Sequence, residues 1–317
     1  MLRVLLLAIL LQSTSALAET SQKTIRMIVP FAPGASADGI ARALSIDLGK
    51  RLGKTVVVEN MTGAGGSQGL VTLAKSAPDG DTLGVGASGA LLINPHITGS
   101  NAPDLLHELV PIAKLIEVGI VVVANPKTGP TSIQDMLARA KANPQGLSYG
   151  STGVNTGQHL SMEMLKAATG ANLVHIPYRG SAPAIVDLVA GQIPVASVDI
   201  TSAYPHIVGG RAVALGMAEA KRSRAAPEIP TIGESGVLGF GRAGGFIGLF
   251  APAGTPPALA KQISDEVRQI LASPAIAANL KALTVSAAYE DEAAFARFLA
   301  VETGRWKQTL QSLKLAK

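Results

Sequence analysis

Five short corners rich in Gly, Ser and Thr carry the residue types that could do chemistry. They are PFAPGASAD (residues 30–38), ENMTGAGGSQG (59–69), GASGA (86–90), GSTGVNTGQH (150–159) and PYRGSAP (177–183). Each follows an apolar run that reads as a strand, and most run into a helical pattern. The first turn of a helix offers unpaired N–H groups and a partial positive charge. Small residues let a ligand approach that backbone. An anion can therefore be held there without a Lys or Arg partner. One such corner is what any turn looks like. Repetition in both halves of the chain, at the carboxyl ends of strands, points to helix starts of two units gripping one carboxylate-sized group.

Other chemistries find less support. GAGGSQG (63–69) matches G-x-G-x-x-x-G, a loose dinucleotide fingerprint, and it keeps an exported nucleotide-dependent enzyme as a rival reading. The G-x-S-x-G spacing occurs once, at residues 65–69 within that same corner. The five histidines lack metal-ligand spacing. His159, just inside a helix, could reach a ligand, whereas His175 in an apolar strand reads as structural. Asp38 sits where it complements a helix dipole or fixes a loop. Asp199, at a strand end, is equally a contact for an ammonium group or a cap for the next helix. No acid–base pair emerges, so the expectation is no enzyme, no metal and no cofactor. The absence of cysteine excludes disulfides, thiolate metal sites and a lipid-modified cysteine anchor. With 3% aromatic residues and one Trp, the chain suits a small polar or anionic ligand better than a stacked sugar. The net charge of +5 is scattered, which argues against nucleic acid.

The elements that must position these corners alternate. Residues 1–18 have one early charge, an apolar run and an A-x-A site at Ala16 and Ala18, the pattern of a signal peptide cleaved before Glu19. No later stretch reaches the roughly 20 apolar residues of a membrane span, so a soluble periplasmic protein is expected. TIRMIVP, TVVVEN and GDTLGVGAS read as strands of a parallel sheet, with a helix from about Ala37 (Ile40, Leu44, Leu48, Leu52) closed by Gly53. The pattern restarts after VGIVVVANP. LSYG, ANLVHIPY, IPVASVDI and AVALGMA are strands, one helix runs from about Thr156 to Ala168, and another is N-capped by Ser181. GGFIGLFAP is a further strand, followed by helices from Pro257, after Pro274 and from about Glu290. The last carries Phe295, Phe298, Leu299, Trp306 and Leu310 as a packing stripe. These helices are expected to join the first unit. Domain 1 is then 19–119 with 241–317, domain 2 is 120–240, and two crossing strands form a hinge.

The stretches IRMIVPFAPGASADGIAR, VVVENMTGAGGSQG, AKSAPDGDTL, HIPYRGSAPAIVDLVAGQI and GLFAPAGTPP occur in the order and spacing of the Bug/TctC family. The chain resembles these periplasmic receptors of tripartite tricarboxylate transporters over nearly its whole length. The resemblance implies an α/β two-domain periplasmic binding protein, type II-like, of the Venus-flytrap kind with a two-strand hinge. It implies a small carboxylate ligand: a di- or tricarboxylate, an amino acid or an aromatic acid. It also implies a monomer that serves membrane transporter subunits or, as an orphan sensor, a signalling protein. Carried over by motif, the first-domain contacts are Phe31, Gly34, Ala35 and Ser36, with Asp38 supporting, and Ser88. Those of the second domain are Ser151, Thr152, Asn155, Thr156, His159, Tyr178, Arg179 and Asp199. The sequence departs from the family pattern at Ala35 and Ser36, where glycines are usual, and at Met61, Thr62, Asp81 and Phe246. The Ala35 change touches the pocket, so the ligand is left unnamed.

Overall fold

A computed structural model describes residues 24–240 and 243–317; the expected signal peptide lies outside the described residues. Two mixed sheets form the frames of two lobes. The first has strand order β11-β4-β10-β3-β1-β2 and the second β7-β6-β8-β5-β9. In the first, β1 (Thr24–Val29), β2 (Thr55–Asn60) and β3 (Thr82–Ala87) are parallel, as the alternating pattern requires. β10 (Gly245–Pro252) runs antiparallel between β3 and β4 (Leu109–Val118), and β11 (Ala287–Glu290) adds to the edge beyond β4. The sheet is thus not purely parallel. β10 comes back from the other lobe and so meets β3 from the opposite end.

The second sheet repeats this logic. β6 (Leu147–Ser151), β7 (Leu173–Pro177) and β8 (Val195–Asp199) are parallel, while β5 (Ile120–Ala124), arriving from the first lobe, is antiparallel to β8 and to β9 (Val213–Met217). Gly119 alone separates β4 from β5, and its carbonyl accepts from Ile200 N at 3.0 Å. The return crossing lies alongside, where Ala243 N donates to Ala218 O at 2.9 Å and Ala218 N to Ile120 O at 2.8 Å.

Helices cover both faces of each sheet. α1 (Ser36–Leu52) buries Ile40, Ala41, Leu44 and Leu48 on the first. It stops at Gly53, whose left-handed backbone (φ 64°) returns its N–H to Gly49 and Lys50 carbonyls. α2 (Ser67–Ala74), α7 (Pro257–Leu271), α8 (Pro274–Ala282) and α9 (Glu292–Ser312) complete that lobe. The second lobe holds α3 (Ile133–Ala142), α4 (Gly157–Thr169), α5 (Ser181–Ala190) and α6 (Ile200–Val208).

The C-terminal helices do pack on the first sheet. α9 buries Phe295, Leu299, Trp306 and Leu310, each contributing roughly 1.5–3 kcal/mol. Phe295 fits because position 248 is glycine: a Cβ there would lie 2.2 Å from Phe295 Cζ. Lys114, 3% exposed in β4, pairs with Glu290 of β11 at 2.9 Å and with Glu117 at 3.1 Å, over the ring of Phe298. No helix among the described residues is long and apolar enough to cross a membrane.

Candidate functional site

The small-residue corners meet where the lobes face each other. A Cβ on Gly89 would lie 3.2 Å from Asn155 O and 3.3 Å from Thr156 Cα. One on Gly65 would lie 2.7 Å from Val154 O. Backbone therefore packs on backbone across the cleft, which explains residues without side chains on both sides. Ser202 Oγ of α6 donates to Gly34 O at 3.2 Å, and Thr201 Oγ1 donates to Leu283 O at 2.7 Å. The first bond holds the start of α6 against the β1–α1 corner, and the second holds it against the end of α8.

Between the corners lies an inner cavity of about 50 Å³, the volume open to the centres of water molecules. Phe31, Val118, Ile120, Phe246 and Ile247 give it apolar walls. Its polar groups come from both lobes. Ser36 and Ser88 belong to the first; Thr152, Thr156, Gln158 and Asp199 belong to the second. Thr156 N-caps α4, accepting from His159 N at 3.3 Å and donating to Gly153 O at 2.8 Å. Thr152 Oγ1 donates to Gln158 Oε1 at 2.9 Å. Ser88 differs from these. It is 4% exposed, and its Oγ is buried without a hydrogen-bond partner among the described residues. Buried polar atoms are almost always paired, so this one marks a place where a partner is due.

Asp199 is the one charged residue on this wall among the described residues. It caps α6 through Ser202 N at 3.1 Å and accepts from Ser181 Oγ at 2.9 Å. The Ser36 N–H at the start of α1 is also directed to it. Burial raises its pKa, and the donors Ser202, Ser181 and Ser36 counter that only in part. Two features of the sequence reading change here. Ser181 is not the N-cap of α5; Gly180 holds that position with a positive φ of 141°, and the Ser181 hydroxyl turns to Asp199 instead. At the start of α1 the Ser36 N–H is also directed to an acid of the protein itself.

Phe31 and Thr152 also line a second, wider cavity of about 200 Å³ at the mouth. The 63–66 backbone, Gly153, Tyr178 and Arg179 complete its wall. Arg179 is exposed, and its guanidinium has no hydrogen bond or ion pair among the described residues. Tyr178 is anchored by its hydroxyl to Asp187 Oδ2 at 2.8 Å.

The remaining sequence-derived candidates support these walls from behind. Gly34, in a left-handed conformation (φ 90°), donates its N–H to Asp38 Oδ2 at 3.1 Å. Asp38 also takes Arg42 at 2.9 Å and Asn60 Nδ2 at 3.0 Å, while Asn60 holds Phe31 O at 2.9 Å. Burial opposes the charge of Asp38, but the bonds from Arg42, Asn60 and Gly34 outweigh it and hold its pKa below the usual range. Ser151 Oγ lies 2.6 Å from His175 Nε2, and His159 Nδ1 accepts from Asn155 N at 3.2 Å. The His159 and His175 rings stack at 4.0 Å, with Tyr149 5.2 Å beyond His175. Burial, helped by Lys166 for His159 and by His159 for His175, lowers both histidines to about 4. This stack backs the 150–156 corner and lines neither cavity.

The structure thus brings Phe31, Ala35, Ser36 and Ser88 together with Thr152, Thr156 and Asp199 on the inner wall. Tyr178 and Arg179 stand at the mouth. Gly34, Asp38, Ser151, Asn155 and His159 stand one layer back. Sequence reasoning missed Gln158, Val118 and Ile120, whose side chains give no motif. It noted Phe246 as the aromatic of the return strand without placing it in the site. Among the described residues, no cluster of three or more His, Cys, Asp or Glu could hold a metal ion.

Two α/β lobes linked by adjacent crossings and closed on a cleft define a two-domain binding protein of the periplasmic type. Comparison narrows the class. The sequence profile described as tripartite tricarboxylate transporter family receptor matches residues 40–315. BugT of Bordetella pertussis is 34% identical over 90% of this chain and 87% of its own. Rpa4515 of R. palustris, solved with adipate, superposes with a TM-score of 0.87 at 25% identity, covering 94% of this chain and 99% of that one. MatC of Rhodopseudomonas palustris, solved with malate, gives a TM-score of 0.82 at 27% identity over 90% and 98%. The chain belongs to the Bug/TctC family of tripartite tricarboxylate transporter receptors, a family of periplasmic solute-binding proteins.

Proposed function

We propose that this protein captures a small carboxylate in the cleft between its lobes and presents it to membrane subunits of a tripartite tricarboxylate-type transporter. The observation that carries the reading is the cavity between the corners of both lobes, with the unpartnered Ser88 hydroxyl on its wall. Family membership and the adipate- and malate-bound relatives support the ligand class. Phe31, Ala35, Ser36, Ser88, Thr152 and Thr156 would contact the ligand. Gly34 and Asp38 would set the first corner, Ser151, Asn155 and His159 the second, and Tyr178, Arg179 and Asp199 the ends of the cleft. A ligand that binds only the folded protein raises the melting temperature by an amount that grows with the logarithm of its concentration above Kd. A thermal-shift screen of organic acids and amino acids, followed by calorimetric titration of the hits, is the test. Shifts confined to neutral sugars, nucleosides or metal cations would sink the reading.

A further inference from the structure

A third cavity, of about 720 Å³ by the same measure, opens beside the hinge. Val118 and Gly245 line both it and the inner cavity, so the two share the crossing strands. Its walls belong to different lobes. From the first lobe, β4 and β11 supply Lys114, Glu117 and Glu290; from the second, the segment after β9 supplies Glu219, Lys221, Arg222 and Arg224. Most of these charges are already matched. Lys114 is held between Glu117 and Glu290. Arg222 is held by Glu234 at 2.9 Å, and Glu219 Oε1 accepts from Ile120 N at 3.2 Å. Lys221 and Arg224 are exposed, lie on one short segment, and have no hydrogen bond or ion pair among the described residues. Two unmatched cations on a cavity wall, with every acid of the described lining engaged elsewhere, suit an anion that carries more than one charge.

Glu219 connects this cavity to the cleft. Ile120, whose N–H it accepts, walls the inner cavity. A Cβ on Gly244 would lie 1.8 Å from Glu219 Oε1, and one on Gly245 would lie 2.5 Å from Ser88 Oγ. The return crossing is thus packed between Glu219 of the hinge cavity and Ser88 of the inner one. A shift of the 219–224 segment therefore reaches both crossings. We infer that the hinge cavity is a second binding site, separate from the cleft, for a small multiply charged anion held by Lys221 and Arg224, and that its occupancy is coupled to the cleft through Glu219. Inorganic phosphate and organic polycarboxylates share this chemistry. The coupling is reciprocal, so a molecule in the cleft changes the affinity of the anion by the same factor that the anion changes its own. The site goes beyond the proposed function and does not depend on it.

Calorimetric titration with phosphate, tricarballylate and acetate, at constant ionic strength so that screening is equal, tests the site. Phosphate or tricarballylate should bind at least tenfold tighter than acetate, and the tighter of the two names the source. Lys221→Gln/Arg224→Gln should weaken that anion at least tenfold. Lys127→Gln/Lys141→Gln removes two exposed charges of the same lobe outside the cavity and should leave its affinity unchanged. For the coupling, the saturating anion should change amide exchange at Ile120 and Gly245 at least threefold in the wild type and not in Lys221→Gln/Arg224→Gln. No binding of either anion at millimolar concentration overturns the site. Equal affinity in folded Lys221→Gln/Arg224→Gln, or equal losses in the two double variants, overturns it as well. Exchange that stays unchanged, or that changes alike in Lys221→Gln/Arg224→Gln, overturns the coupling. Failure of every acid in the thermal-shift screen sinks the proposed function and leaves the phosphate result standing.

Discussion

The stacked pair His159 and His175 makes the stability of the second lobe depend on acidity in a calculable way. Both rings are neutral in the fold, lowered from the ordinary 6.5 to about 4. The unfolded chain takes up protons as pH falls below about 6.5, whereas the folded chain resists until about 4. Stability is therefore lost progressively as pH falls from 6.5 to 4, and this loss levels off below 4. His159 keeps only 14% of its side-chain surface exposed, so its displacement counts nearly in full, roughly 3 kcal/mol. His175 is more open to solvent and adds about 1 kcal/mol after screening. The assay is urea unfolding at pH 7, 6, 5 and 4 for the wild type and for His159→Gln/His175→Gln. Carboxylates that titrate below pH 5 do so in both proteins, so the difference between the two isolates the rings. The wild type should lose roughly 3–4 kcal/mol more than the double variant across this range. Parallel stability curves would refute the reasoning, because the rings would then be free to charge inside the fold.

Gly89→Val should keep the far-UV circular dichroism of the wild type yet weaken acid binding at least tenfold. Its Cβ would press on Asn155 O at 3.2 Å and keep the lobes apart, an effect visible as a larger radius in small-angle scattering under saturating ligand. Asn60→Leu removes the bonds to Phe31 O and Asp38 together, and should cost about 1–3 kcal/mol in urea unfolding. Gly248→Ala forces a Cβ into the ring of Phe295 and should cost about 1–3 kcal/mol. Adding Phe295→Leu should return part of that, and strictly additive losses would show that the two residues do not meet.

Much of this architecture is legible in the residues. The α1 stripe of Ile40, Leu44 and Leu48 and its Gly53 stop are local signals, and the helix begins at Ser36, one residue before its expected start. The strands β4 and β11 left no such mark. LVPIAKLIEV shows no alternation because both its faces are covered, apart from Lys114, which is buried against Glu290 of a strand 176 residues on. The antiparallel course of β10 depends on which end of the sheet the chain re-enters, a property of the crossing and not of any residue. Ser181 carries the signature of a cap, yet its hydroxyl is claimed by Asp199, 18 residues away. The histidine stack joins a helix to a strand across 16 positions, so no spacing rule announces it. The 63–66 corner was noticed for its glycines but left out of the site, and it forms one side of the mouth.

Gly119 stands alone between Val118 and Ile120, and both of these neighbours wall the inner cavity. If the lobes swing about that point, displacement grows with radius. The rim formed by residues 63–66 and Arg179 sweeps a wider arc than the chamber beside the pivot, whose walls also belong to both lobes. A captured molecule would then stay seated at its inner end until the rim has parted, so the tempo of hand-over would be set by the outer contacts.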